Sequence, residues 1–259
     1  MNNTYQYRIG YITDGGNVRT NNQDSFLIRS DFTHLPDTAL LAVADGMGGL
    51  ANGEEASART VNELERWFDE QLSDFMVGGP DWSAIKNSLF VTVDRINFSI
   101  FSTSNAEGIR CGTTLTLALV YQSRYLIQQI GDSRAYLLHN QKLKQLTKDQ
   151  TWCRAEIDAG RLTEAQARTH PMRHVLTSGL GVAENYTIET LEGTLLPGDG
   201  LLLCSDGFYN EMDDTWYRQK GSDPQTLLDK AALTIRSGVA EDNFTAVLAC
   251  MPRARRWLW

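Results

Sequence analysis

Leu40-Leu41-Ala42-Val43-Ala44-Asp45-Gly46-Met47-Gly48-Gly49 sets five apolar residues against an acid and then a glycine-rich run. A short continuous apolar run closed by Asp-Gly reads as a buried strand that delivers a carboxylate to the edge of a core. The pattern recurs along the chain. Leu115 to Val120, Tyr125 to Ile130, Leu201 to Leu203 and Thr245 to Leu248 are of strand length and are bounded by Gly and Asp. Such strands need cover on their apolar faces, and two sheets flanked by helices supply it. The expected class is α+β: two antiparallel sheets packed as a sandwich, with helices on both outer faces.

Helical spacing supplies the cover. Val61, Leu64, Phe68, Leu72 and Phe75 share one face, and Ile85, Leu89, Val93, Ile96 and Ile100 share another. Gly78-Gly79-Pro80 separates the two stretches, and Asp81 is placed to accept the free N–H groups of the second. A third helix is expected from Pro224 to about Arg236, closed by Gly238. Between Leu146 and about Tyr186 the chain is polar and rich in Thr, Arg and His, which reads as a partly helical surface excursion. No repeat or Pro/Ser-rich linker divides the chain, so residues 1–259 are expected to form one domain.

Composition excludes several classes. With 42% apolar and 22% charged residues, 21 Gly and 6 Pro in 259 residues, the chain is globular and not fibrous or disordered. A net charge of -8 argues against a nucleic-acid binder, whose phosphate contacts need a basic surface. An acidic protein that acts on phosphorylated substrates must supply local positive charge, for which bound metal ions are suited. Cys111, Cys153, Cys204 and Cys250 show no metal-site or redox spacing and read as free thiols. Met1-Asn2-Asn3-Thr4-Tyr5 has no signal-peptide pattern, and no apolar run approaches ~20 residues, so a cytoplasmic protein without a membrane span is expected.

Four aspartates stand where these strands meet turns: Asp45, Asp132 after Ile130-Gly131, Asp206 after Cys204-Ser205, and Asp242 before Asn243-Phe244-Thr245. Asp-Gly is also a strong hairpin signal, and Asp45-Gly46 and Asp206-Gly207 both fit it. Taken together, four carboxylates at the edge of a core are costly without a shared counter-charge. Oxygen ligands without His or Cys favour Mg2+ or Mn2+ over zinc. Two such ions roughly 3.5–4 Å apart can acidify a bridging water and clamp phosphoryl oxygens, with no covalent nucleophile needed. Arg19 is the candidate grip for the substrate phosphate, because a guanidinium offers two parallel charge-assisted hydrogen bonds.

Seven segments in this order resemble the metal-dependent protein phosphatase family, also called type 2C or PPM, and above all its compact bacterial members. They are Arg19 to Asp24, Val43 to Gly49, Gly112-Thr113-Thr114, Ile130 to Arg134, Leu146 to Asp149, Cys204 to Gly207, and Glu241-Asp242-Asn243. The resemblance implies a Ser/Thr protein phosphatase that uses a metal-bridging water and opposes a bacterial Ser/Thr kinase. It implies that Asp45 bridges two Mn2+ or Mg2+ ions, that the Gly46 carbonyl joins one, and that Asp206 and Asp242 complete the other. Asp132 would share a third, weaker ion with Asp206, Arg19 would hold the phosphate, and Asp24 would orient metal-bound water. The excursion from Leu146 onward is similar to the family's flap, which borders the cleft. Phosphorylated proteins, a Ser/Thr kinase among them, are the expected partners of a monomer.

The chain departs from many relatives at three positions: Met47 and Gln150 stand in place of histidines, and Gln23 in place of a glutamate. Of the four histidines, His170 and His174 lie in the flap, where surface or packing roles compete with that of an acid. Arg253-Ala254-Arg255-Arg256-Trp257-Leu258-Trp259 is basic and aromatic, and reads either as a packed terminus or as a docking segment. Two other functions remain open: a phosphoprotein-binding scaffold without turnover, against which retention of Arg19, Asp45, Asp206 and Asp242 speaks, and a metallohydrolase of small phosphate esters.

Overall fold

The run from Leu40 to Ala44 forms the centre of a long strand, β3 (Leu35–Gly48), in the computed structural model. It pairs antiparallel with β2 (Asp24–Asp31) on one side and β5 (Leu115–Tyr121) on the other. The sheet continues through β6 (Arg124–Ile130) to β9 (Glu189–Thr194), while the short β4 (Cys111–Thr113) pairs with the last residues of β3. A second antiparallel sheet runs in the order β1 (Arg8–Asp14), β11 (Phe244–Cys250), β10 (Gly200–Cys204), β7 (Arg134–His139), β8 (Lys142–Gln145). The structure describes residues 6–31, 33–48, 52–213, 215–218 and 223–252. Gly49 of the acidic motif, the first five residues and the segment Arg253 to Trp259 lie outside the described residues.

Alternation along the strands builds three apolar layers. Leu41, Val43, Ala118 and Ile127 of the first sheet meet Leu201, Leu203, Val247 and Ala249 of the second in the middle of the sandwich. The intervening residues Leu40, Ala42, Leu117 and Leu126 face outward onto α1 (Asn52–Glu70) and α2 (Trp82–Glu107). On the opposite side Leu202, Cys204, Ala246 and Leu248 face α5 (Asp206–Glu211) and α6 (Pro224–Ser237). The inner strands are mostly apolar because helices cover what the other sheet does not, with Thr116, Gln128, Gln129 and Thr245 as buried polar exceptions. The α-β-β-α sandwich expected from the sequence is the fold observed.

Helix ends follow local chemistry. Asp81 caps α2 by accepting from the Ser83 and Ala84 amides, and Gly108 closes it in the left-handed conformation (φ 66°). Asp223 caps α6 with Pro224 in its first turn. The first helix is shorter than its apolar spacing implied. It stops at Glu70, and Leu72 and Phe75 belong to a separate 3-10 turn, Leu72–Phe75, that keeps Leu72 buried. Tightening of this kind is common at helix C-termini. The flap carries two short helices, α3 (Trp152–Asp158) and α4 (Glu164–Arg168), the second closed by a reciprocal Thr163–Gln166 capping box.

Neither Asp-Gly pair makes a hairpin. β3 runs on through Asp45-Gly46, because β4 and the Gln23 carbonyl take up its hydrogen bonds, and Asp206-Gly207 opens α5.

Candidate metal centre

The end of β3, the start of β2, the end of β6, the end of β10 and the start of β11 meet at one edge of the sandwich. Asp24 stands directly opposite Asp45 in the β2–β3 register. Opposed residues of an antiparallel pair project from the same face a few ångströms apart, so two carboxylates are forced together by strand pairing alone. Asp132 follows the end of β6 across Gly131, whose φ of 96° a larger residue adopts only with strain. Asp206 begins α5, and Asp242 lies two residues before β11. Asp45, Gly46, Asp132, Asp206 and Asp242 line a cleft of about 1690 Å³ with Arg19 at its rim, and Asp24 is buried beside Asp45.

The Gly112-Thr113-Thr114 segment sets the position of Asp45. The Thr114 hydroxyl accepts from the Asp45 amide at 3.0 Å, and the Asp45 carbonyl accepts from the Thr114 amide and the Thr113 hydroxyl. Thr114 also bonds Ser133 at 2.7 Å, tying this strand to the Asp132 loop. Asn243 fixes the Arg19 loop: its side-chain oxygen accepts from the Gln23 amide, and its nitrogen donates to the Gly15 and Asn21 carbonyls. Gly46 packs against backbone, with a Cβ at this position falling 2.2 Å from the Gly53 carbonyl oxygen and 2.5 Å from that of Gln23. Gly46→Ala must therefore push two strands and the start of α1 apart; thermal denaturation is expected to show a loss of about 2–3 kcal/mol, or roughly 5–10 °C in Tm. An unchanged melting temperature would contradict this packing.

Burial and like charge dominate the electrostatics. Burial pushes the Asp24 carboxyl up to about 7; hydrogen bonds from Ser205 and Thr245 pull the other way, and Asp206 and Asp242 repel it. Asp45 is raised well above the ordinary carboxylate range by burial and then by the charges of Asp24, Asp206, Asp132 and Asp242. Asp132 is pushed up to about 7 by burial, Asp206 and Asp149. Asp24 Oδ2 accepts from the Ser205 hydroxyl at 2.8 Å, while its Oδ1 is buried without a protein partner. A buried, unpartnered carboxylate oxygen among four other carboxylates marks a place for a cation. Among the described residues no three acidic, His or Cys side chains close on a single point tightly enough to chelate an ion unaided. The donor set of carboxylate and carbonyl oxygens, with no cysteine in the cleft's acidic cluster, suits Mg2+ or Mn2+ and not a closed zinc site.

Arg19 reaches into the cluster, donating to Asp242 at 2.9 Å with about half of its side chain exposed. Two features escaped the sequence. His174 in the flap faces Asp206 at 3.5 Å, a contact that raises its pKa against the effect of burial. His170 stacks on Trp152 and has the packing role. The flap root is fastened twice: Arg134 forms a two-pronged pair with Asp149 at 2.8 and 2.6 Å and lies over the Tyr209 ring, and Gln150 exchanges bonds with both sides of Gly131. The Ile130-to-Arg134 and Leu146-to-Asp149 segments carried that signal, since each ends in one half of the Arg134–Asp149 pair.

Comparison with known proteins agrees with the geometry. A sequence model described as Protein phosphatase 2C matches residues 17–234. The serine/threonine phosphatase stp of Listeria monocytogenes is 32% identical over 243 residues, covering 92% of this chain and 93% of its own. The structure of the Streptococcus agalactiae serine/threonine phosphatase superposes with a TM-score of 0.85 at 27% identity, over 94% of this chain and 99% of that one. The catalytic domain of the serine/threonine phosphatase PstP, solved with two manganese ions, superposes with a TM-score of 0.76 at 30% identity, over 95% and 98%. Sandwich, acidic cleft and sequence match thus agree, and the chain belongs to the protein phosphatase 2C family.

Proposed function

We infer that this protein is a Mn2+- or Mg2+-dependent phosphatase that hydrolyses phosphoserine and phosphothreonine in proteins. The observation that carries the reading is the meeting of Asp45, Asp132, Asp206 and Asp242 at one cleft, with Asp24 buried beside them carrying an unpartnered oxygen, and a half-exposed arginine at the rim. Asp45, the Gly46 carbonyl, Asp206 and Asp242 would hold two ions, and Asp132 with Asp206 a third. Bound there, divalent ions supply neutralising charge and lower the pKa of water.

The chain's own groups do the rest. Arg19, at the rim, exchanges Asp242 for the substrate phosphate, which its fork can grip through two hydrogen bonds. Asp24, held by Ser205 on one oxygen, keeps its other, buried oxygen unpaired, where it would orient a water of the ions' shell. Met47 cannot donate a proton, so the leaving alcohol takes its proton from another group. The flap, from about 146 to 186, borders the cleft through Lys148, Arg154, Arg168 and His174 and contacts the protein part of the substrate. One catalytic domain spans residues 1–259, a reading supported by the shared middle layer of the two sheets. A Ser/Thr kinase is among its phosphoprotein substrates, and it works in the cytoplasm; among the described residues no helix is long and apolar enough to cross a membrane.

The test is phosphate release in Mn2+ from a phosphothreonine peptide, compared with small phosphate esters. Turnover of the peptide at higher kcat/KM is the expected result. Binding without turnover would leave a scaffold, and faster release from metabolite esters would leave a small-molecule hydrolase. Arg19→Ala is expected to raise KM for the peptide by about tenfold with a smaller change in kcat, because its work is to bind phosphate in ground and transition states alike. An equal fall in kcat alone would give Arg19 a different task.

A further inference from the structure

Helix α2 is apolar on two faces. Ile85, Leu89, Val93, Ile96 and Ile100 point inward and are buried against the first sheet and α1. On the outward side Phe90, Val91 and Phe98 are 47%, 62% and 67% exposed, and Phe101 is half-buried. Large apolar side chains grouped on an exposed helix face are the usual mark of a surface that a partner covers, and nothing among the described residues covers this one. Asn87, Val91, Asp94, Phe98 and Phe101 follow each other at intervals of four, three, four and three residues. That spacing lays them in one seam along the helix, as in a coiled coil.

At the middle of the seam stand two exposed charges of opposite sign, Asp94 and Arg95. Among the described residues Arg95 bonds the Thr92 hydroxyl at 3.5 Å, and neither charge is in an ion pair. The sequence around them is self-complementary when reversed. Two copies of α2 laid antiparallel about a two-fold axis between Asp94 and Arg95 set Val91 of each against Phe98 of the other, and Asp94 of each against Arg95 of the other. Every contact is then made twice, as a two-fold interface requires.

We propose that the outer face of α2 pairs with a second copy of this chain, antiparallel, through Val91, Asp94, Arg95 and Phe98. A single helix seam offers fewer contacts than a standard interface of ~800 Å² per partner, so association is expected to be weak, with a dissociation constant on the order of tens of micromolar. Dilute protein is then the monomer expected from the sequence. No residue of α2 lines the cleft, so the proposal stands apart from the functional reading and leaves phosphate release per protomer unchanged.

The test is sedimentation of the full chain over about 1–300 µM, where mass action moves a weak dimer through its transition. The mean mass is expected to rise towards twice that of the monomer. Asp94→Arg alone and Arg95→Asp alone each place like charges opposite at both contacts, and each should remain monomeric, with circular dichroism showing the fold intact. An equimolar mixture of these two variants should associate again, because each then meets its opposite charge twice, and the double variant in one chain should also recover. Phe98→Glu should weaken association at least tenfold. A wild-type chain that stays monomeric throughout would overturn the proposal and assign the face to a different partner. A dimer indifferent to both reversals, or two variants that fail to associate when mixed, would overturn it as well.

Discussion

Removing divalent cations with EDTA at about pH 7.5 is expected to abolish phosphate release and to lower the melting temperature by about 5–10 °C, the shift that follows when an ion at roughly a hundred times its Kd is withdrawn. Readdition of Mn2+ should restore both. The stability half of this result follows from the electrostatics of the cleft. Asp24, Asp45 and Asp132 all have carboxyls raised by burial and mutual repulsion, two of them to about 7. A carboxyl raised in the folded state holds its proton more tightly folded than unfolded. The stability it contributes is therefore present below the unfolded pKa near 4 and is lost as pH climbs through the folded value near 7. Metal-free protein should thus weaken across that window, while metal-bound protein does not. The gap between the two melting curves should open with rising pH and close near pH 4, where protonated carboxyls no longer bind the ion. Activity that persists in chelator would remove the metal mechanism, and a metal-free protein that grows more stable from pH 4 to 7 would contradict the clustering of the carboxylates.

The parts of the fold legible in sequence are those whose surroundings are uniform. The centre of β3 and all of β5, β10 and β11 are covered on both faces, so each is a nearly unbroken apolar run, and β6 keeps enough of one in Tyr125 to Ile127 and Ile130 to be read directly. β9 alternates, with Glu189, Leu191 and Gly193 inward of Thr190, Glu192 and Thr194, and β8 is Lys-Leu-Lys-Gln at a sheet edge; partial exposure erases the apolar signal in both. β2 carries Arg29 and two aspartates at its ends and was hidden for the same reason. Helix α5 is six residues long and begins with a dipeptide whose local preference is for a turn, so only the packing of Phe208 beneath it decides for helix. At the site, Asp45, Asp132, Asp206 and Asp242 were visible because each is joined in sequence to a buried strand. The pairing of Asp24 with Asp45 is a matter of register between strands, and its anchoring by Ser205 crosses from one sheet to the other. His174 approaches Asp206 only because the flap folds back over the cleft. Such relations live in tertiary structure and leave no periodic trace in the chain.

Asp206→Asn should reduce turnover by at least ~100-fold, the scale of losing one well-placed charge from a metal-assisted site. Asp206 is suited to this test because its charge bears on Asp24, Asp45 and Asp132 alike, raising the carboxyl of each. It faces His174 at 3.5 Å and is 15% exposed. Asparagine has almost the same shape, and Ser205, not Asp206, occupies the N-cap of α5, so the helix keeps its start. In metal-free protein the substitution removes one of several repelling negative charges, which should hold the melting temperature level or raise it. With Mn2+ present the same change withdraws a proposed ligand, and the gain in melting temperature on adding metal should shrink. The two readouts thus move in opposite senses, a combination that simple unfolding of the variant cannot produce, because unfolding lowers activity and metal-free stability together. Near-normal turnover in this variant would mean that the reacting phosphate lies elsewhere in the cleft, and lost turnover with an undiminished metal response would separate Asp206 from the ions and leave it acting on the substrate side alone.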